Sequence, residues 1–244
     1  MVDELDFREQ GEALGNACAV VRSNGASAGL AAPVPTCPGW TVADLVAHLG
    51  MIHRYVTCRL TGEPGFEEVV AIAEAHAAAD MLEWFDEGMV ALLNAIVTTR
   101  DADSLRRQVH ETTIHGVDAM AARLGRAPRA EELWVPPRLA ADGVDEVLGW
   151  VLPRPRYALT SPRPRRVVVA STDTDRYWLL EIGPGGTTTT RLGGPADADA
   201  VAYGTARELY LAVWNRVTPG ATEALATEDG WWDAWRQRVQ VTWG

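Results

Sequence analysis

The sequence contains no lysine, and all 22 of its basic residues are arginine. Against 33 acidic residues they leave a net charge of −11. That balance excludes a general nucleic-acid binder or a binder of anionic membrane, because either needs a basic face. Cysteine is scarce as well. Cys18, Cys37 and Cys58 show no CxxC spacing, which argues against a disulfide framework and for a reducing compartment. No apolar run approaches the roughly 18 residues of a membrane-spanning helix. The opening stretch MVDELDFREQ is acidic and has no apolar core, so it does not read as a signal peptide. Together these absences predict a cytoplasmic protein with no nucleic-acid or membrane partner. The missing lysine, beside heavy use of Ala, Gly and Val, reads as GC-rich coding rather than a functional demand.

What is present is an ordinary globular composition, 47% hydrophobic and 23% charged over 244 residues, enough for one large domain or two small ones. The residue types are unevenly spread. All five His and all three Cys lie within the first 115 residues, whereas seven of the ten Trp fall between Trp150 and Trp243. Strong metal ligands are thus confined to the N-terminal half, and two parts with different tasks are expected.

Periodicity divides the chain in the same way. Leu5, Leu14, Ala17, Val20 and Val21 recur at helical spacing and predict a first helix over about 3–24. SNGASAGLAAPVPTCPGW then reads as a loop, with Pro38-Gly39 suited to a tight turn that needs a positive φ. Thr41 and Asp44 form a capping box that starts a second helix, which ends near Leu60 before Gly62 and Pro64. A third helix is expected over Phe66 to Thr98, with a break at Asp80 or Gly88. A fourth runs from Asp101 and Asp103 to Gly125. Four helices with short connections predict a bundle over 1–127. PRAEELWVPPRLAA, with three prolines, reads as a linker at 128–141. An α+β domain is expected over 142–244. It would hold a short helix at Gly143–Trp150 and strands in RRVVVAST, RYWLLEIG, the Thr run after GPGG, and ADAVAYGT. A helix in TARELYLAVWNR and a terminal helix leading into a short strand complete it.

The chemistry concentrates in RRQVHETTIHGVDAMAARLG, residues 106–125. Glu111 and His115 are four residues apart and so share one helix face, and Asp118 continues that stripe. A carboxylate and an imidazole so placed can grip a divalent cation, and zinc suits nitrogen and oxygen donors. A catalytic metal needs a third ligand, for which His48 in the second helix is the candidate. HETTIH is one residue too long for the zinc-protease HExxH. His110 and His115 stand about 140° apart around the helix and cannot share a metal. Cys37, before a turn and a helix start, reads as a small buried residue in that turn rather than a nucleophile. The Trp231, Trp232 and Trp235 cluster reads as packing. GPGG lacks the Lys and Ser/Thr of a phosphate-binding loop.

VPTCPGWTVADLVAHLG and RRQVHETTIHGVDA resemble the mycothiol-dependent maleylpyruvate isomerase family, a branch of the DinB-like four-helix proteins. That family carries patterns close to P-T-x-x-W-T-x-x-D-L-x-x-H-L and H-E-x-x-x-H-R-x-D. ADGVDEVLGWVLP, the D-x-D-R-Y-W run at Asp173–Trp178, DADAVAYGTARELYLAVWNR and the Trp-rich end are similar to the family's smaller α+β domain, often compared with sterol-carrier proteins. The resemblance spans nearly the whole chain.

It implies that His48, Glu111 and His115 are three ligands of Zn2+ or another divalent metal, with an open position for a thiol or water. It implies mycothiol as thiol cosubstrate and a small electrophile as the other. Arg216 would meet an anionic substrate, although a charge near a helix C-terminus also offsets the dipole. Asp118 would orient a ligand imidazole or serve as a helix salt bridge. Where the family pattern has Arg and a bulky aromatic after the second histidine, this chain has Gly116 and Val117. The departure favours a broad expectation of thiol transfer or cis–trans isomerisation over isomerisation alone. A non-enzymatic ligand-binding or regulatory protein and a thiol-independent metal hydrolase are the alternatives on the same scaffold.

Overall fold

The computed structural model describes residues 4–217 and 231–240. The chain divides into two compact units, Asp6–Pro128 and the part from Arg129 onward together with the N-terminal residues through Leu5.

The first unit is helical: α1 (Phe7–Ala28), α2 (Val42–Thr61), α3 (Glu68–Ala77), α4 (Met81–Thr99) and α5 (Ala102–Leu124). It has five helices where the periodicity predicts four. The expected third helix is two, because Ala78 turns to an extended backbone and Asp80 caps α4, accepting from the Leu82 and Glu83 N–H groups. α1 outlasts its predicted end. Ser23, Asn24 and Ser27 return their side-chain donors to carbonyls one turn back, and the helix persists until Gly29 takes a φ of 86°.

The ends of α2 obey the sequence signals. Thr41 and Asp44 form the reciprocal capping box, and Gly62 closes the helix in the left-handed conformation. Asp101 caps α5 through the Ser104 N–H at 2.7 Å, and Gly125 ends it with φ 68°.

α1 packs on α5 and α2 on α4, while α2 also reaches α3 and α5. α2 and α4 approach closely at Gly50, where a Cβ would overlap the Trp84 ring. The Arg54 guanidinium also lies over that ring, 3.6 Å from its centroid, and limits its freedom to move aside. α5 is unusual among these helices. Every residue from Gln108 to Ala119 is buried, although His110, Glu111, Thr112, Thr113, His115 and Asp118 are polar. A buried helix of this polarity is stable only with internal partners for those groups.

The second unit is α+β. Its sheet contains β1 (Arg165–Ser171), β2 (Tyr177–Gly183), β3 (Gly186–Leu192) and β4 (Ala200–Gly204), in the order β3-β2-β1-β4. β1 pairs antiparallel with β2 and parallel with β4, and β2–β3 is a hairpin closed at Gly183 and Gly186. α6 (Pro137–Glu146) and the π-turn Val147–Val151 fasten to the sheet. Trp178 Nε1 donates to Asp145 at 2.9 Å, and Thr189 Oγ1 to the Leu148 carbonyl at 2.6 Å. α7 (Ala206–Val213) comes after β4 and packs on α6, while α8 (Trp231–Arg238) brings Trp235 into the core, its Nε1 on the Val213 carbonyl.

The stretch predicted to be a linker is folded instead. Ala130–Glu132 forms a 3-10 turn, Leu133 and Val135 are buried, and Pro137 opens α6 at a position where its missing N–H costs nothing. Trp232 and Trp235 are buried as packing residues. The Trp231 side chain and the strand expected at the C-terminus lie outside the described residues. No helix among the described residues is long and apolar enough to cross a membrane.

The Gly50 contact sets a stability prediction. Gly50→Ala gains helix propensity of about 1 kcal/mol, but overpacking against Trp84 costs about 1–3 kcal/mol. The net is a lower denaturation midpoint in urea, and an unchanged or higher midpoint would contradict the close approach.

Candidate metal centre

The centre is assembled from α2, α5 and the loop that precedes α2. In that loop Pro33 bridges to Thr41, and backbone bonds from Cys37 to Val34 and from Trp40 to Cys37 close a compact turn. Gly39 supplies the positive φ, 90°, that the turn requires. The result presents Thr36, Cys37 and Trp40 toward α5, while the capping box behind them aims the first turns of α2 so that His48 faces the same way.

His48, Glu111 and His115 converge, with one ligand atom from each lying within 4.8 Å of the others. Glu111 Oε1 is 3.5 Å from His48 Nε2 and 3.3 Å from His115 Nε2. The other carboxylate oxygen, Oε2, accepts from Arg107 Nη2 at 2.6 Å. The two imidazoles stand edge to face with centroids 5.1 Å apart, and Trp40 flanks both, nearly parallel to the His115 ring. All three converging residues are buried.

Behind His115 lies a second set of contacts. Its Nδ1 is 2.8 Å from Asp118 Oδ2, and the same buried carboxylate accepts from the Thr36 hydroxyl at 2.6 Å and the Cys37 thiol at 3.2 Å. Asp118 thereby ties the loop to α5 and fixes the His115 ring. With Nδ1 on Asp118, the Nε2 atom is the one turned toward Glu111 and His48.

The electrostatics arise from burial and these partners. Burial opposes ionisation of Glu111, yet Arg107 and the hydrogen bonds from His115 and His48 hold its carboxyl well below the ordinary range. Burial would also keep His115 neutral, but Asp118, Cys37 and Glu111 carry its imidazole well above the usual value. His48 goes the other way: burial dominates and pushes it down, against the pull of Glu111. Two imidazole nitrogens and one carboxylate oxygen, close together and walled by an indole, are a donor set suited to zinc.

A family model described as the mycothiol maleylpyruvate isomerase N-terminal domain matches residues 7–120, and the model of that family's C-terminal domain matches residues 138–238. The chain belongs to the mycothiol maleylpyruvate isomerase family. Among solved structures, a mycothiol-dependent maleylpyruvate isomerase is 15% identical, with a TM-score of 0.60 over 93% of this chain and 94% of that one. A histidine-to-alanine mutant of such an isomerase is 14% identical, with a TM-score of 0.61 over the same shares. At these identities the likeness is one of fold. No curated protein matches the chain by sequence.

In this member of the mycothiol maleylpyruvate isomerase family, the three residues singled out from sequence come together, and Asp118 joins them from one turn further along α5. His110 is wholly buried but belongs to neither group of converging metal-ligating side chains among the described residues. Arg216 belongs to the α+β unit, just past the end of α7, where its Nη1 donates to the Trp214 carbonyl at 2.7 Å. Cys37 differs from its expected role as buried turn filler, being part-exposed and hydrogen-bonded to Asp118. Sequence reasoning misses Arg107 and Thr36. Arg107 has a signal in its i,i+4 spacing from Glu111, whereas the partner of Thr36 is 82 residues away.

The two opposed shifts give the metal-free cluster a pH signature. The raised His115 contributes stability that is complete below the ordinary imidazole value of 6.5 and is lost as pH climbs through its folded value. The depressed Glu111 contributes stability that is complete above 4.5 and is lost as pH falls through its folded value. Urea midpoints of metal-free protein should therefore decline as pH rises past neutrality, and His115→Gln should flatten that decline. A wild-type profile as flat as the variant's would contradict the ion-paired His115.

Proposed function

We propose that the chain is a divalent-metal enzyme, with zinc the metal its donors suit best, that uses mycothiol against a small electrophile. The observation carrying this reading is the convergence of His48, Glu111 and His115 from two helices. Three protein ligands with room for a fourth are characteristic of catalytic rather than structural zinc. When bound, zinc lets a cosubstrate thiol ionise at neutral pH, by the effect that acidifies zinc-bound water.

The chain's own residues supply the rest. Asp118 accepts a hydrogen bond from the His115 Nδ1–H, which fixes the tautomer that leaves the Nε2 lone pair for the metal. Trp40 covers the flanks of both imidazoles and keeps water from them. Gly116, one residue beyond His115, removes side-chain bulk from that turn of α5. Arg216 is assigned to an anionic group of the electrophile, a task suited to a guanidinium fork. Addition of the thiol to a cis double bond, rotation and elimination would give isomerisation. Retention of the adduct would give transfer. The Gly116–Val117 departure favours the broader statement, a thiol-transfer enzyme of this family acting in the cytoplasm.

The direct experiment is turnover of a panel of electrophiles, maleylpyruvate included, with and without mycothiol. Thiol-dependent turnover is expected, and turnover without any thiol would favour a metal hydrolase instead. Purified protein should carry stoichiometric zinc that His48→Ala and His115→Ala remove. Zinc content indifferent to both substitutions would sink the proposed ligand set, and no zinc at all would favour a binding protein. Asp118→Asn should retain the ligands but lower zinc affinity roughly 10- to 100-fold, measured by competition with a chelating dye. Arg216→Gln should leave zinc content intact while lowering kcat/KM for an anionic electrophile by roughly 10- to 100-fold, the loss of one charge-assisted contact.

A further inference from the structure

The two oxygens of Glu111 do different things. Oε1 faces both imidazoles, at 3.5 Å from His48 Nε2 and 3.3 Å from His115 Nε2, whereas Oε2 is held by Arg107 Nη2 at 2.6 Å. Arg–Glu pairs at this spacing are common on exposed helix faces, where they contribute little. This pair is different in its surroundings. The Glu111 side chain is 2% exposed and that of Arg107 18%, so the contact sits in the wall of the centre rather than on the surface.

We infer that Arg107 is a positioning residue that confines Glu111 to coordinating a metal through Oε1 alone. The inference rests on the metal reading above and deepens it. A carboxylate free of other partners can offer one oxygen or both to a cation. A short charge-assisted bond from a guanidinium engages a lone pair of Oε2 and holds that oxygen toward Arg107, while Oε1 faces the imidazoles. With Glu111 limited to one oxygen, the protein contributes three donor atoms and a further position stays open to the cosubstrate thiol. If Glu111 used both oxygens, the second would add to the donors already there, make the site five-coordinate and crowd the position meant for the thiol. Arg107 thus acts on thiol binding without touching metal or thiol, and it does so from the same helix, four residues before its target.

Zinc itself is spectroscopically silent, so the test uses cobalt(II) as its stand-in, since its visible bands are several-fold more intense in four-coordinate than in five-coordinate sites. Wild-type protein loaded with cobalt should show the intense four-coordinate spectrum. Arg107→Met, similar in reach but without donors, should lose several-fold in intensity and show a KM for the thiol raised more than kcat is lowered. Arg107→Lys, which keeps the charge and a donor, should recover most of the wild-type spectrum. Circular dichroism of the loaded variants establishes that each is folded. Equal band intensities in wild-type and Arg107→Met protein would overturn the inference, as would an Arg107→Lys protein no nearer to wild type than Arg107→Met. Wild-type protein that binds no cobalt would overturn the metal reading itself, which separates that failure from failure of the Arg107 role.

Discussion

A carboxylate with almost no access to water is the constraint around which the helical unit is built. Glu111 is 1% exposed, and an ionised carboxylate placed there without partners would cost at least several kcal/mol. Its charge is sustained by Arg107 on its own helix and by the imidazoles of His48 and His115. Satisfying one buried anion therefore fixes two helices relative to each other. α2 must present His48 to α5, and α5 must run through the interior with its polar residues inward. This explains why α5, unlike a typical surface helix, is buried on all sides over its central turns.

The loop before α2 extends the same logic one layer outward. His115 is held by Asp118, and Asp118 is itself a buried carboxylate that must be satisfied. It draws on the Thr36 hydroxyl and Cys37 thiol as well as on the imidazole. The compact turn that carries those two donors also carries Trp40, which lies against both imidazoles. The converging side chains, the Asp118 carboxylate and the Trp40 wall are thus one network, and disturbing any layer changes the next. Arg107 belongs to this network although it meets the opposite oxygen of Glu111 from the one facing the histidines.

Much of this is legible in the sequence because it rests on local rules. The start and end of α2 are written in Thr41, Asp44 and Gly62, and those of α5 in Asp101 and Gly125, since capping depends on residues within one turn. The four strands are readable from apolar runs and turn residues. Elsewhere a local rule is overridden or a competing one is stronger. α1 runs on through Ser23, Asn24 and Ser27, whose side chains bond back onto the helix, and stops only at Gly29. The third helical stretch breaks at Asp80, one of the two positions expected, because its carboxylate caps the N–H groups of a new helix. The proline-rich stretch at 128–141 has the composition of a linker, but composition does not show which of its residues are enclosed. Leu133 and Val135 are buried, and Pro137 starts a helix.

The sequence by itself determined the helical stripe of Glu111, His115 and Asp118, because a 3.6-residue period places them on one face whatever surrounds them. It also placed His110 about 140° around the helix from His115, off that face, for the same geometric reason. Only the tertiary structure decided that His48, 63 residues from Glu111, completes the group, that Thr36 and Cys37 converge on Asp118, and that Arg107 sits within the wall rather than on the surface. Periodicity fixes which residues share a face, but burial and distance between helices depend on packing. It is burial that turns an ordinary helical salt bridge into a device for directing one oxygen of a carboxylate.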